Sequence, residues 1–338
     1  MRGSLAEATR KSYATGIAKY AEFCNQAGLN LEQALPAAEP TLCAFVAWAS
    51  LTLAPDTVGS YLSAIRSLHV DLGLGDPTAD RLVLKRTMTG MRKLHARPVT
   101  QKLPLTVGLL DTFKSHLDLH SHDDRVLWAA LCLGVHALLR TAELVPRAKT
   151  DRIPIRNADV TLDGDCLRLA IPFSKNDPMG RGTVLRLFAT NGPACPIKAV
   201  HSLITNSPFT RAQNASLFQL ASGAPLTRTP LVSTIKSLVA KAGLDPAAFA
   251  GHSMRRGGAT SFAIAGVPDT VIRNMGRWSS FTYQSYVETT DSVLRDAMRR
   301  VAETKDPFGG RALDDLLSVS LNNLHLRTSS RALEPTRA

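Results

Sequence analysis

Residues 159–173 read DVTLDGDCLRLAIPF, and this stretch sets the fold class of the chain. Apolar and polar residues alternate from Val160 to Asp163 and again from Cys166 to Ile171, the period-2 pattern of strands buried on one face. Asp163-Gly164 between them is a strong hairpin signal. Past SKNDPMGRG (174–182), the segment TVLRLFAT (183–190) reads as a third strand. On both sides of this island the apolar spacing is helical. The pattern predicts a mainly α chain with one small antiparallel three-stranded sheet near its middle.

Toward the N-terminus, the apolar run Val126 to Leu139 is too short to span a bilayer and contains His136, so it reads as a buried helix. It ends in LLRTAEL (138–144), and a further helix precedes it around Val107 to His116. Residues 95–106, HARPVTQKLPLT, hold two prolines and little that could form a core, so they read as an extended linker. The first hundred residues are helical. Thr9 to Ala27 carries Tyr13, Ile17, Tyr20, Ala21 and Cys24 near the spacing of one helical face. Pro40-Thr41 opens a second helix with Thr41 as its cap, and Pro55-Asp56 opens a third that Gly73 closes. A fourth runs from about Thr78 to Leu94. Basic residues crowd its second half: Lys85, Arg86, Arg92 and Lys93, followed by Arg97 in the linker.

Toward the C-terminus, helices are expected from about Pro196 to Ile204, Arg228 to Ala242, Met254 to Ala265 and Thr270 to Met275. The domains expected are 1–96, helical, a linker at 97–106, a second domain at 107–305 and a tail at 306–338. The tail contains the amphipathic ALDDLLSVSLNNLHL (312–326), a segment that packs either in cis or on a neighbouring copy.

A formal charge of +12 and a pI of about 9.8 point to a polyanionic partner, of which nucleic acid is the commonest. Membrane surfaces and ribosomal assembly stay open on charge alone. The five cysteines are odd in number, scattered and never in a CxxC pair, which argues against a disulfide framework or a zinc ribbon and for a reducing compartment. MRGSLAEATRKSY, at the start, has no apolar stretch suited to a secretory signal. An intracellular protein is expected.

Four clusters carry chemistry, and each has an ordinary reading beside it. Arg140 ends a buried apolar helix, where a guanidinium needs a carboxylate or an anionic ligand; a structural pair with Glu143 would satisfy it. In GHSMRRGGATSF (251–262), His252 and Arg255 lie three apart at a helix start, beside free backbone N–H groups that suit a phosphate. Lys175 lies between the second and third strands, where a lysine is commonly just exposed but can also reach a neighbouring groove. In MGRWSSFTYQSYVE (275–288), Trp278 follows a Gly-Arg turn and Tyr283 and Tyr286 lie three apart, a spacing seen more often in packing than in chemistry.

Taken in order, Arg140, Lys175, His252-x-x-Arg255, Trp278 and Tyr286 resemble the tyrosine recombinase (phage integrase) family, whose members carry an arginine, a hairpin lysine, an HxxR pair, a His or Trp and a tyrosine in that series. The resemblance covers nearly the whole chain: TRKSYATGIAKYAEFC (9–24) and TVGSYLSAIRSLH (57–69) look like the family's N-terminal core-binding (SAM-like) domain. Many bacterial members have Gly-His where this chain has Gly276-Arg277-Trp278, with the tyrosine nine residues later, whereas Tyr286 is eight after Trp278. The Gly-Arg-Trp form resembles recombinases of eukaryotic mobile elements of the Crypton and DIRS groups.

The resemblance implies DNA cleavage and rejoining through a 3′-phosphotyrosine at Tyr286, without metal, cofactor or ATP. It casts Arg140 and Arg255 as clamps on the phosphate, His252 as proton acceptor, Lys175 as acid, and Trp278 as indole donor or water shield. Glu143 and Tyr283 take supporting parts. Double-stranded DNA held by Arg66, Lys85, Arg86, Arg92, Lys93, Arg97 and Lys102 would be the partner, in a homo-tetramer on synapsed sites that serves recombination, integration or transposition. Work in the nucleus follows if the host is eukaryotic. A monomeric type IB topoisomerase and a domesticated, non-catalytic DNA-binding protein are the rival readings.

Overall fold

The computed structural model describes residues 5, 7–95, 101–174, 177, 179–278, 284, 287, 295, 298 and 299. Its contacts divide the chain into two units, Met1–Thr100 and Gln101–Ala338, and the division falls inside the stretch read as a linker.

The first unit is built from α1 (Glu7–Gln26), α2 (Glu39–Ser50), α3 (Pro55–Asp71) and α4 (Leu82–Leu94). Its core is an aromatic group, Tyr20, Phe23, Phe45 and Trp48, in which Tyr20 meets Phe45 edge-on at 5.4 Å. His69 is fully buried and ties α3 to the connection between α1 and α2. Its Nε2 accepts the Ala37 N–H at 2.8 Å, and its Nδ1 lies 2.7 Å from the Ile65 carbonyl.

Two expectations shift here. Thr41 does not cap α2, because the helix begins earlier, after Ala38, with Pro40 in its first turn, where a missing N–H is no loss. Nor does α4 begin near Thr78. Asp76 accepts from the N–H and hydroxyl of Thr78 in a local turn, and Asp80 has a left-handed φ of 53°, which interrupts any helix before Leu82.

The second unit has α5 (Val107–Lys114), α6 (His122–His136), α7 (Thr141–Leu144), β1 (Val160–Asp163), β2 (Cys166–Ile171), β3 (Thr183–Phe188), α8 (Pro196–Thr205), α9 (Arg228–Lys241), α10 (His252–Ile264) and α11 (Asp269–Gly276). The expected sheet is present, antiparallel in the order β1-β2-β3. Asp163 pairs with Cys166, so the two-residue loop is Gly164-Asp165, with Gly164 at φ 58°. Leu167, Leu169 and Ile171 face the core. From Val126 to His136 nearly every residue of α6 is buried, and α8 and α10 pack against it.

Part of the expected linker belongs to this core. The Leu103 N–H donates to Ala248 O and the Leu105 N–H to Ser253 O, each at 2.8 Å, and Leu105 is fully buried. The backbone of α10 comes so close there that a Cβ on Gly257 would overlap the Leu105 carbonyl. Neither side of that contact is a flexible side chain. Gly257→Ala is therefore expected to cost about 3 kcal/mol, the upper end of ordinary overpacking. Urea denaturation reads this directly, and an unchanged midpoint would show that the approach is not fixed.

Candidate active site around Glu143

α6 ends at His136, and the chain then turns sharply. Leu138 takes a left-handed φ of 50°, which a bulky side chain rarely adopts, and Arg140 is extended. Arg140 is the N-cap of α7, and Glu143 reaches back to it, accepting the Arg140 backbone N–H on Oε2 at 2.9 Å while its own N–H donates to Arg140 O at 2.8 Å. Glu143 Oε1 accepts from Arg140 Nη1 at 2.8 Å. The structural pair weighed from sequence is therefore present.

It is part of something larger. Oε2 also accepts from Arg277 Nη2 at 2.8 Å, and Arg255 Nη1 stands 3.9 Å away. One carboxylate that is 4% exposed faces three guanidiniums, whose side chains are 18% (Arg140), 0% (Arg255) and 8% (Arg277) exposed. Burial alone would raise the Glu143 pKa, but the Arg277 charge and the bonds from Arg140 outweigh it and hold the carboxyl below its ordinary value.

The two buried arginines are held by main-chain carbonyls. Arg255, one turn into α10, donates to Leu138 O and Gly276 O, while the Trp278 ring lies over its guanidinium, 4.2 Å from centroid to Cζ. Trp278 is 7% exposed and packs with Leu138, Ala259 and Ile272. Arg277 terminates α11 with a left-handed φ of 55°. Its Nη1 donates to Met275 O at 3.0 Å and reaches Ala137 O at 3.4 Å. Among the described residues of this unit, the two non-glycine residues with left-handed φ, Leu138 and Arg277, thus border the arginine cluster.

His252 opens α10 at the surface, whereas Arg255 points inward, so the pair does not share one exposed face. The N-terminus of α10 still abuts α7, for a Cβ on Gly251 would strike the Thr141 hydroxyl. His252 and Arg140 each neighbour that contact in sequence. Arg140, Glu143, Arg255 and Trp278 are brought together. Lys175, Tyr283 and Tyr286 lie outside the described residues. Arg277 was passed over in the sequence, although Tyr286 stands nine residues after it, the spacing counted from the Gly-His of bacterial relatives.

In the first unit, Lys85, Arg86, Arg92 and Lys93 are all exposed on α4. Arg66, Arg81, Lys85 and Arg92 line a cleft of about 290 Å3 between α3 and α4, with Ser63, Thr78 and Thr89. Arg81 was not anticipated. Arg66 is paired with Asp76 at 2.7 Å, and the Ser60 and Ser63 hydroxyls donate to carbonyls one turn back in their own helix. Lys102 donates to Ala247 O at 2.6 Å and so helps pin its segment. Arg97 lies outside the described residues. No helix among the described residues is long and apolar enough to cross a membrane.

A helical unit with a basic cleft, and a mostly helical unit with one small antiparallel sheet, share their architecture with solved tyrosine recombinases. The particular likenesses agree. An integrase/recombinase XerD homologue of Selenomonas ruminantium is 25% identical over 315 residues, covering 88% of this chain and 86% of that protein. The XerH site-specific recombinase bound to difH substrate matches with a TM-score of 0.58 at 17% identity, over 85% of this chain and 78% of that one. A variant of the Tn1549 transposon integrase in complex with transposon right-end DNA matches at 0.55 and 16%, over 89% and 96%. A lambda integrase dimer on a COC′ core site gives 0.52 and 14%, over 84% and 72%. The solved structures establish the fold, and with the XerD homologue they support the tyrosine recombinase/integrase family. No family model matches the chain.

Proposed function

We propose that this protein is a site-specific DNA recombinase that cleaves and rejoins DNA through a 3′-phosphotyrosine at Tyr286, using neither metal nor ATP. The observation that supports the reading is the gathering at Glu143: among the described residues, three guanidiniums meet at one carboxylate. Guanidiniums gathered in this way attract an anion, and a scissile phosphate gaining charge in its transition state is one they suit.

Arg140 is the member that meets it. Among the described residues its side chain bonds only to Glu143, and it is the most exposed of the three, which leaves further N–H groups for a non-bridging oxygen. Arg255 is fully buried, with Nη1 on Leu138 O and Nη2 on Gly276 O, so it stabilises the phosphate through its charge rather than by a forked bond. Trp278 keeps that guanidinium covered instead of donating to DNA.

The Tyr286 oxygen attacks phosphorus, its proton passes to His252, and the 5′ oxygen leaves with a proton from Lys175. The phosphotyrosine keeps the energy of the broken bond, so an incoming 5′ hydroxyl reverses the step. DNA is the partner, as in the complexes of the structural relatives. The exposed basic residues of α4 would follow its backbone, and binding would weaken steeply with salt. Exchange between two duplexes calls for four protomers. The Gly276-Arg277-Trp278 form favours a Crypton- or DIRS-like mobile element, and with it a nuclear site of action.

A nicked suicide substrate, from which the 5′ hydroxyl diffuses away, tests the reading. The expected result is a protein–DNA adduct that survives denaturation and forms in the presence of chelator. Specific binding without any adduct would instead leave a non-catalytic DNA-binding protein, and relaxation of supercoils without recombinants would leave a topoisomerase.

A further inference from the structure

Arg277 touches no reacting atom in the scheme above, yet its bonds lead straight to the group that does. Glu143 Oε2 is held by two donors, Arg277 Nη2 at 2.8 Å and the Arg140 backbone N–H at 2.9 Å. A carboxylate is planar, so fixing Oε2 fixes the direction of Oε1. Oε1 in turn holds Arg140 Nη1 at 2.8 Å.

The outer end of this chain is anchored as firmly. Arg277 Nη1 lies on Met275 O at 3.0 Å and near Ala137 O at 3.4 Å, and Nη2 lies 3.4 Å from Leu138 O. Those carbonyls belong to the end of α11 and to the turn after α6, and they are fixed by the backbone itself. A left-handed φ at position 277 is sterically costly, and a structure that keeps it must gain elsewhere. The gain here is a rigid path from two helix ends to the most exposed arginine of the three.

Building on the recombinase reading, we infer that Arg277 is a positioning residue for Arg140, acting through the Glu143 carboxylate. Without Arg277, Oε2 keeps one backbone donor and a guanidinium at 3.9 Å. The carboxylate is then free to swing, and Arg140 swings with it. An ammonium cannot replace Arg277, since a single nitrogen cannot reach both the carboxylate and the Met275 carbonyl in the plane that the fork spans.

The test is a double-mutant cycle on adduct formation from the suicide substrate under single-turnover conditions. It uses wild type, Arg140→Ala, Arg277→Ala and the double variant, with DNA binding and thermal unfolding followed in parallel. Arg277→Ala is expected to slow adduct formation by about 10²-fold, the scale of a misplaced catalytic group, with DNA affinity within about threefold of wild type. In the Arg140→Ala background the same substitution should slow it by less than about threefold further. Arg277→Lys should not restore the rate. Losses that multiply in the double variant would overturn the inference, as would full rescue by lysine, which would make Arg277 a source of charge only. Should Arg277→Ala lose its folded baseline, the same cycle is run with Arg277→Gln, which keeps one planar donor, and the same two outcomes decide. A wild-type protein that forms no adduct refutes the recombinase reading itself, a result separate from any outcome of the cycle.

Discussion

Tyr286→Phe will bind its DNA site with wild-type affinity and form no covalent adduct. The substitution removes one oxygen and keeps the ring, so whatever packing the side chain contributes is retained. What disappears is the nucleophile. A phenol with an ordinary pKa of about 10 attacks a phosphodiester only when a neighbour takes its proton and the phosphate charge is screened, and no other group in the proposed scheme forms a bond to phosphorus. The loss should therefore fall below detection rather than amount to a modest slowing. Tyr283→Phe is the control, because Tyr283 lies three residues earlier in the same segment and is the only other phenol near it in sequence. Its variant should still form adduct. Denaturing gels of the suicide-substrate reaction distinguish the two, and adduct persisting in Tyr286→Phe while vanishing in Tyr283→Phe would transfer the nucleophile to Tyr283.

Periodicity made the architecture legible because it reflects burial of a single face. The alternation at 160–171 marked the strands, and the runs from Thr9 and from Val126 marked helices whose observed ranges differ from the expected ones by a few residues at the ends. What pattern could not show were contacts to main chain. Leu105 looks like a linker residue between Pro104 and Thr106, and only the carbonyl of Ser253 and the notch at Gly257 make it core. Thr41 looks like a cap, but Ala38 and Pro40 start the helix first.

The candidate site divides the same way. Arg140 and Glu143 were legible because their pairing is local, between residues three apart in one turn. The inward turn of Arg255 was not, since its partners are carbonyls 117 and 21 residues away, and a carbonyl carries no signature in sequence. For the same reason Arg277 read as part of a turn while its neighbour Trp278 drew attention.

Glu143→Ala should be the most damaging substitution in the second unit, and its effect should be electrostatic. Three guanidiniums would lose their common counter-charge, two of them in the protein interior, and removing one partner from a buried ionic group typically costs about 3–5 kcal/mol. Glu143→Gln, with the same shape and one remaining carbonyl, separates lost charge from lost volume and should recover only part of that cost. Adduct formation should fall with both, since Arg140 loses its guide.

The pH dependence follows from the direction of the carboxyl shift. Burial opposes ionisation, but Arg277 and Arg140 more than compensate, so the folded protein holds this proton less tightly than the unfolded chain, where the value is about 4.5. The stabilisation is then complete above that value and is lost as the pH falls below it, through the depressed folded pKa. Wild type and Glu143→Gln should therefore differ by a constant amount in urea denaturation between pH 6 and 8, and converge as the solution is made more acid than about pH 4. A glutamine variant as stable as wild type at pH 7 would mean that the arginines do not need this carboxylate, and their gathering around it could then no longer support the functional reading.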